Sequence, residues 1–120
     1  MKRHAEAKWT GDLKAGAGHI STETKTLSET PYSFNSRFES GQGTNPEELL
    51  AAAHAGCFTM ALSLQLQTAG YTAESLHTAC TITLDKVGEG FEITHSDLVL
   101  TAKVPTISHT DFETAALGAK

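Results

Sequence analysis

The chemistry in this sequence starts with sulfur. Its two cysteines, Cys57 and Cys80, stand in different surroundings. Cys80 alternates with Leu76, Ile82 and Leu84 along one face of a strand pattern, so it reads as a small buried hydrophobe. Cys57 follows Ala51-Ala52-Ala53 and Gly56 within a long apolar helical segment, where small neighbours let another group approach the sulfur. A core cysteine and a reactive thiol are both open readings there. A reactive thiol needs a stabilised thiolate. Cys57 lies twelve residues beyond the helix start at Asn45, and the helix dipole fades within the first turn. A fixed cation must therefore supply the charge, and arginine keeps its charge when buried. Arg3 and Arg37 are the two arginines. Arg3 is close to a terminus, so Arg37, at the end of a predicted strand from Tyr32, is the candidate; a solvated strand-end charge is its other reading. An arginine in an apolar site needs a carboxylate to orient it. Glu47 and Glu48 open the helix that carries Cys57. On a straight helix Glu47 is ten residues, about 15 Å, from Cys57. Either that helix breaks, or a second subunit brings a copy of one beside a copy of the other. The second alternative predicts an intertwined homodimer.

The remaining residue types exclude more than they suggest. The six histidines, His4, His19, His54, His77, His95 and His109, show no HxxxH spacing, and there is no CxxC. His54 stands one helical turn before Cys57, which permits a Cys–His pair or a two-ligand metal site, but no further ligand, orienting group or oxyanion hole is in view. No phosphate loop or dinucleotide fingerprint is present. Two cysteines are too few for a disulfide scaffold or a thiolate zinc site. With Lys plus Arg at 9 against Asp plus Glu at 14, the net charge of −5 argues against nucleic acid or anionic membrane as the main partner.

The elements that must hold these residues read as follows. Ala5, Ala7 and Trp9 alternate with Glu6, Lys8 and Thr10 in a first strand; His19–Thr24 is a second, and Tyr32, Phe34 and Ser36 mark a third. Asn45-Pro46-Glu47-Glu48 starts a helix with a cap, a proline at the first position and a glutamate three residues after the cap. Gly70 stops it after roughly 36 Å. From Leu49 to Ala73 no residue is formally charged, which is the length of a membrane span. His54, Thr59, Ser63, Gln65, Gln67 and Thr68 make lipid costly, so a helix buried in a protein core is the expectation. A strand over Leu76–Asp85 and a turn at Val87–Phe91 follow. The alternation then changes phase near Ser96-Asp97, which predicts a bulge or a break. Thr110-x-x-Glu113 looks like a capping box opening a last helix, Phe112 to Lys120. The order βββ-α-ββ-α predicts one α+β domain over residues 1–120, with antiparallel sheets around a long buried central helix. No apolar stretch follows the basic start Met1–Arg3, so the chain is expected in the cytoplasm, where thiols stay reduced.

Three stretches resemble a known family. Trp9-Thr10-Gly11-Asp12-Leu13, then Pro31-Tyr32-Ser33-Phe34-Asn35-Ser36-Arg37-Phe38-Glu39, then the block from Gly43-Thr44-Asn45-Pro46-Glu47-Glu48 through His54-Ala55-Gly56-Cys57 to Ser63, are similar to the osmotically inducible protein C branch of the OsmC/Ohr family. Leu84-Asp85-Lys86-Val87 and Gly90-Phe91 fit the same branch. The resemblance covers nearly the whole chain. It implies a tightly intertwined dimer and a cysteine-based peroxidase of oxidative and osmotic stress defence, acting on organic hydroperoxides and less well on hydrogen peroxide. By position, Cys57 resembles the peroxidatic cysteine, Arg37 the arginine that stabilises its thiolate and Glu47 the glutamate that holds the arginine. No metal or other cofactor is implied; a dithiol of lipoyl type is the implied reductant. The family's resolving cysteine, in a C-terminal helix before a last strand, has no counterpart up to Lys120, and Cys80 does not match it. A domain lacking its C-terminal part is therefore the expectation. The competing readings are a non-catalytic dimeric domain that binds apolar ligands and a peroxide sensor.

Overall fold

The architecture was obtained as a computed structural model that describes all 120 residues. The chain divides into two compact units, Met1–Leu49 and Leu50–Lys120.

The first unit is a small antiparallel sheet followed by a helical turn. Strands β1 (Ala5–Thr10), β2 (Ala17–Thr22) and β3 (Thr30–Tyr32) pair in sequence order. Gly18 stands opposite both Trp9 and Tyr32 in the ladder. A Cβ at Gly18 would lie 2.5 Å from the Tyr32 ring and 2.6 Å from the Trp9 ring. The missing side chain lets the two rings meet edge to face, with centroids 5.5 Å apart. The third strand ends sooner than its alternation predicts, and Phe34–Phe38 form a short helix, α1. Ser33 and Ser36 are the cause. The Ser33 hydroxyl accepts from the Ser36 amide, and the Ser36 hydroxyl accepts from the Ser33 amide, a reciprocal cap that outcompetes strand pairing. Arg37 is thus in the last turn of a helix and not at a strand end.

The long helix α2 spans Pro46–Thr68 without a break. Asn45 caps it as expected, its side chain accepting from the Glu48 amide at 2.7 Å. Gly70, at φ +91°, ends it, with the Tyr71 amide returning to the Leu66 carbonyl.

In the second unit, β4 (Ser75–Val87) and β5 (Gly90–Lys103) form a long antiparallel hairpin, followed by α3 (His109–Ala119). Thr83 pairs with His95 and Leu84 with Ile93, so Thr94 is the extra residue of a bulge. The bulge lies just before the expected position. It brings Ser96, Leu98, Leu100 and Ala102 onto the face shared by Ile82, Cys80, Thr78 and Leu76. The last helix starts one cap earlier than expected: Ser108 accepts from the Asp111 amide, and Thr110 lies inside the helix. Ser108-x-x-Asp111 offers the same short side-chain acceptor as the Thr110 box, and the chain uses the first one available.

Phe58, Leu62, Leu66 and Ala115 form the buried core, flanked by Leu76, Leu98, Leu100 and Phe112. The expectation of a helix buried in a protein core is met on one face. Leu50, Ala53, Cys57, Met60 and Leu64 recur at helical spacing along the other face and are exposed, Met60 at 77% and Leu64 at 62%. That apolar outer stripe is why α2 is long and apolar enough to cross a membrane by length and composition.

Candidate functional site

The first unit brings Arg37 and Glu47 together. The Arg37 Nε donates to Glu47 Oε1 at 3.0 Å, and Nη2 lies 2.9 Å from the same oxygen. Of the two glutamates that open α2, Glu47 takes the arginine; Glu48 accepts instead from the Thr44 hydroxyl at 2.9 Å. Loop residues hold α1 against the start of α2. The Ser36 hydroxyl donates to the Thr44 carbonyl at 2.8 Å, and the Asn45 side chain donates to the Ser36 carbonyl at 3.2 Å. The Thr44 amide donates to the Pro31 carbonyl at 2.9 Å. Gly43, at φ +105°, makes that approach: a Cβ there would sit 2.4 Å from the Pro31 oxygen.

This pair is partly buried. The Glu47 side chain is only 14% exposed and the Arg37 side chain 38%. Both guanidinium donors converge on Oε1, so Oε2 is buried without a hydrogen-bond partner in the chain. A buried carboxylate oxygen left in that condition costs on the order of 1–3 kcal/mol. The guanidinium lies over the Phe38 ring, 5.1 Å from its centroid. Beside Arg37, a pocket of about 240 Å³ is walled by Trp9, Leu13, Tyr32, Phe34 and Phe38. The sequence reading missed this pocket. One helical turn brings the Phe34 and Phe38 rings to 5.0 Å between centroids, whereas the strand that the alternation predicts would hold residues four apart about 13 Å from one another.

The second unit carries both thiols. Cys57 is exposed on the outer face of α2, and neither cysteine is in a disulfide. Cys80 is on the face expected, but it is half-buried among polar atoms and is not a plain core hydrophobe. Its sulfur lies 3.8 Å from His54 Nδ1 and 3.4 Å from Ser96 Oγ. The Nδ1 of His54 is thereby engaged by Ser96 and Cys80. No group of three or more metal-ligating side chains is present.

Residues 39–119 match the family described as OsmC-like protein. The chain is 49% identical over 113 residues to Peroxiredoxin OsmC of Escherichia coli, which spans 94% of this chain and 79% of that protein. The same figures hold for Peroxiredoxin OsmC of Shigella flexneri. Among solved structures, the organic hydroperoxide resistance protein OhrB of Bacillus subtilis aligns over 97% of this chain and 82% of its own, with TM-score 0.68 and 22% identity. An OsmC-like protein of unknown function from Vibrio cholerae aligns over 99% and 87%, with TM-score 0.74 and 18% identity. These two share the fold.

Proposed function

The chain belongs to the OsmC-like family, and from that premise we propose that it is a thiol peroxidase that reduces organic hydroperoxides through Cys57. The Arg37–Glu47 pair carries the reading: a partly buried guanidinium, clamped by a carboxylate and bordered by aromatic rings, is what a peroxide-reducing thiolate requires beside it. The Cys57 thiolate attacks one peroxide oxygen of ROOH. The S–O bond forms as the O–O bond breaks, and RO⁻ leaves and takes a proton to give ROH. Cysteine is oxidised to sulfenic acid and the peroxide is reduced. Arginine donors aimed at the leaving oxygen stabilise its developing charge. The aromatic pocket beside Arg37 offers an apolar wall to the organic group, and Glu47 Oε2 offers a buried acceptor to an entering donor. A dithiol then completes the cycle. Its first thiol displaces hydroxide from sulfur as water, and its second displaces Cys57 and leaves as the cyclic disulfide.

The working unit is a homodimer in this proposal. On one continuous helix ten residues, about 15 Å, separate Glu47 from Cys57, so a thiolate and its arginine meet when two chains interleave. The exposed Leu50, Met60 and Leu64 stripe that carries Cys57 is the surface such an arrangement covers. In this reading the protein works in a reducing compartment, the cytoplasm, where thiols stay reduced. The test is consumption of an alkyl hydroperoxide in the presence of a dithiol. Turnover by the native chain supports the proposal. Binding of the hydroperoxide without consumption, by protein whose thiols are reduced, contradicts it and leaves a ligand-binding domain.

A further inference from the structure

The helix α2 presents its imidazole to the cysteine that the peroxidase reading leaves idle. His54 Nδ1, Cys80 Sγ and Ser96 Oγ come from α2, β4 and β5 and form a closed triangle. Its sides are 3.8 Å from nitrogen to sulfur, 3.4 Å from sulfur to the serine oxygen and 2.5 Å from that oxygen to nitrogen. The bulge at Thr94 sets the third corner, because it turns Ser96 onto the face of Cys80. The hydroxyl contact between Thr59 and Thr78, at 2.7 Å, fixes the same helix on the same strand more than one turn further along. The imidazole is therefore held from two places. Cys80 and His54 are half-buried, while Ser96 is exposed and lines an open cleft of about 400 Å³ with Phe58, Leu98, Ala116 and Leu117. Ser96 and Cys80 both face the one Nδ1 atom and the serine contact is the shorter, so the hydroxyl joins the thiol to its base, and a thiol joined to a base is an activated nucleophile.

We propose that Cys80 is a second reactive thiol, activated by His54, and that it takes low-molecular-weight disulfides by exchange. In the step, the Ser96 hydroxyl passes its proton to His54 Nδ1 and takes the thiol proton in its place as Cys80 Sγ attacks one sulfur of RSSR. The Cys80–SR bond forms and the S–S bond of RSSR breaks. The departing RS⁻ takes a proton and leaves as RSH, so two electrons pass from Cys80 to the disulfide. The step does not use Cys57, so it stands or falls independently of the peroxidase reading. His54 is one helical turn from Cys57, so an adduct on Cys80 alters the turn of α2 that carries the peroxidatic thiol.

The test uses the full chain carrying Cys57→Ser, incubated with oxidised glutathione and followed by intact mass and peptide mapping. One glutathionyl group on Cys80 is the expected product, and Cys57→Ser/Cys80→Ser takes up none. Adding His54→Asn, which keeps a polar atom but removes the base, slows the uptake about tenfold. With His54→Ala, free imidazole restores part of the rate, which a merely structural histidine would not allow. An unmodified Cys80 in the Cys57→Ser chain overturns the proposal. So does uptake by the His54→Asn chain at the parent rate.

Discussion

At the scale of single residues, the proposed site contains few charged groups. In the site we propose, one guanidinium and one carboxylate do the positioning, and their geometry is specific: two donors on one oxygen, with the second oxygen buried and free of any partner in the chain. Arg37→Ala therefore removes the cation and strands a mostly buried carboxylate, and peroxide turnover is expected to fall at least tenfold. Arg37→Lys restores charge without the fork, so it is expected to recover only part of the rate. Steady-state kinetics with an alkyl hydroperoxide checks both. Equal rates for Arg37→Ala and the native chain would mean that the ion pair is structural. Much of this was legible before the fold was known. The choice of Arg37 over Arg3 followed from Arg3's place near a terminus, and the need for a carboxylate from charge chemistry. The choice between Glu47 and Glu48 did not, because consecutive helix positions diverge by about 100° and only the Thr44 hydroxyl, which takes Glu48, separates them. The polar surroundings of Cys80 were illegible for a similar reason. Strand alternation gives a side chain's face, but nothing in it announces that a histidine from another element and a serine turned onto that face by a bulge will meet there.

At the scale of elements, caps explain both what was readable and what was not. Asn45 and Gly70 bound α2 where the sequence places them. Ser33 and Ser36 break the strand that Tyr32, Phe34 and Ser36 suggest, because two short hydroxyl side chains satisfy local amides more readily than a ladder does. Ser33→Ala is therefore expected to destabilise α1 by about 1 kcal/mol and to loosen the Arg37–Glu47 pair. Urea unfolding and turnover measured on one preparation check the two effects together. Unchanged values for both would remove α1 from the argument. At the far end of α2, the Tyr71 hydroxyl donates to Asp111 at 2.8 Å and ties the helix end to the first turn of α3. That hydrogen bond, then burial, then the charge of Asp111 raise the Tyr71 pKa above its ordinary value. The sign follows for stability. An acid whose pKa is raised on folding stabilises the fold below its unfolded value, and the contribution is lost as the pH climbs through the folded one. Asp111→Asn is expected to bring the phenol's titration back down. Ultraviolet absorbance titration in a Tyr32→Phe chain reads it directly, and an unmoved midpoint would show that Asp111 is not the cause.

At the scale of the whole molecule, the decisive feature is a helix with two apolar faces and only one of them covered. Phe58, Leu62 and Leu66 fill the core, so Leu62→Ala is expected to cost about 2–5 kcal/mol as any large-to-small core change does. Met60 and Leu64 contribute nothing to that core, and their apolar surface has its use in the dimer we propose. Leu64→Glu is accordingly expected to yield a folded monomer with lost peroxidase activity. Light scattering beside circular dichroism checks it, and an active monomer would contradict the shared site. Whether the parts act as one catalyst is read most directly at the thiol itself. The reduced chain is treated with one equivalent of an alkyl hydroperoxide, sulfenic acid is trapped with a carbon nucleophile, and the labelled peptide is identified. The account predicts the label on Cys57, lost with Cys57→Ser and retained with Cys80→Ser. A label carried by Cys80 alone, or peroxide consumption that survives Cys57→Ser, would contradict it.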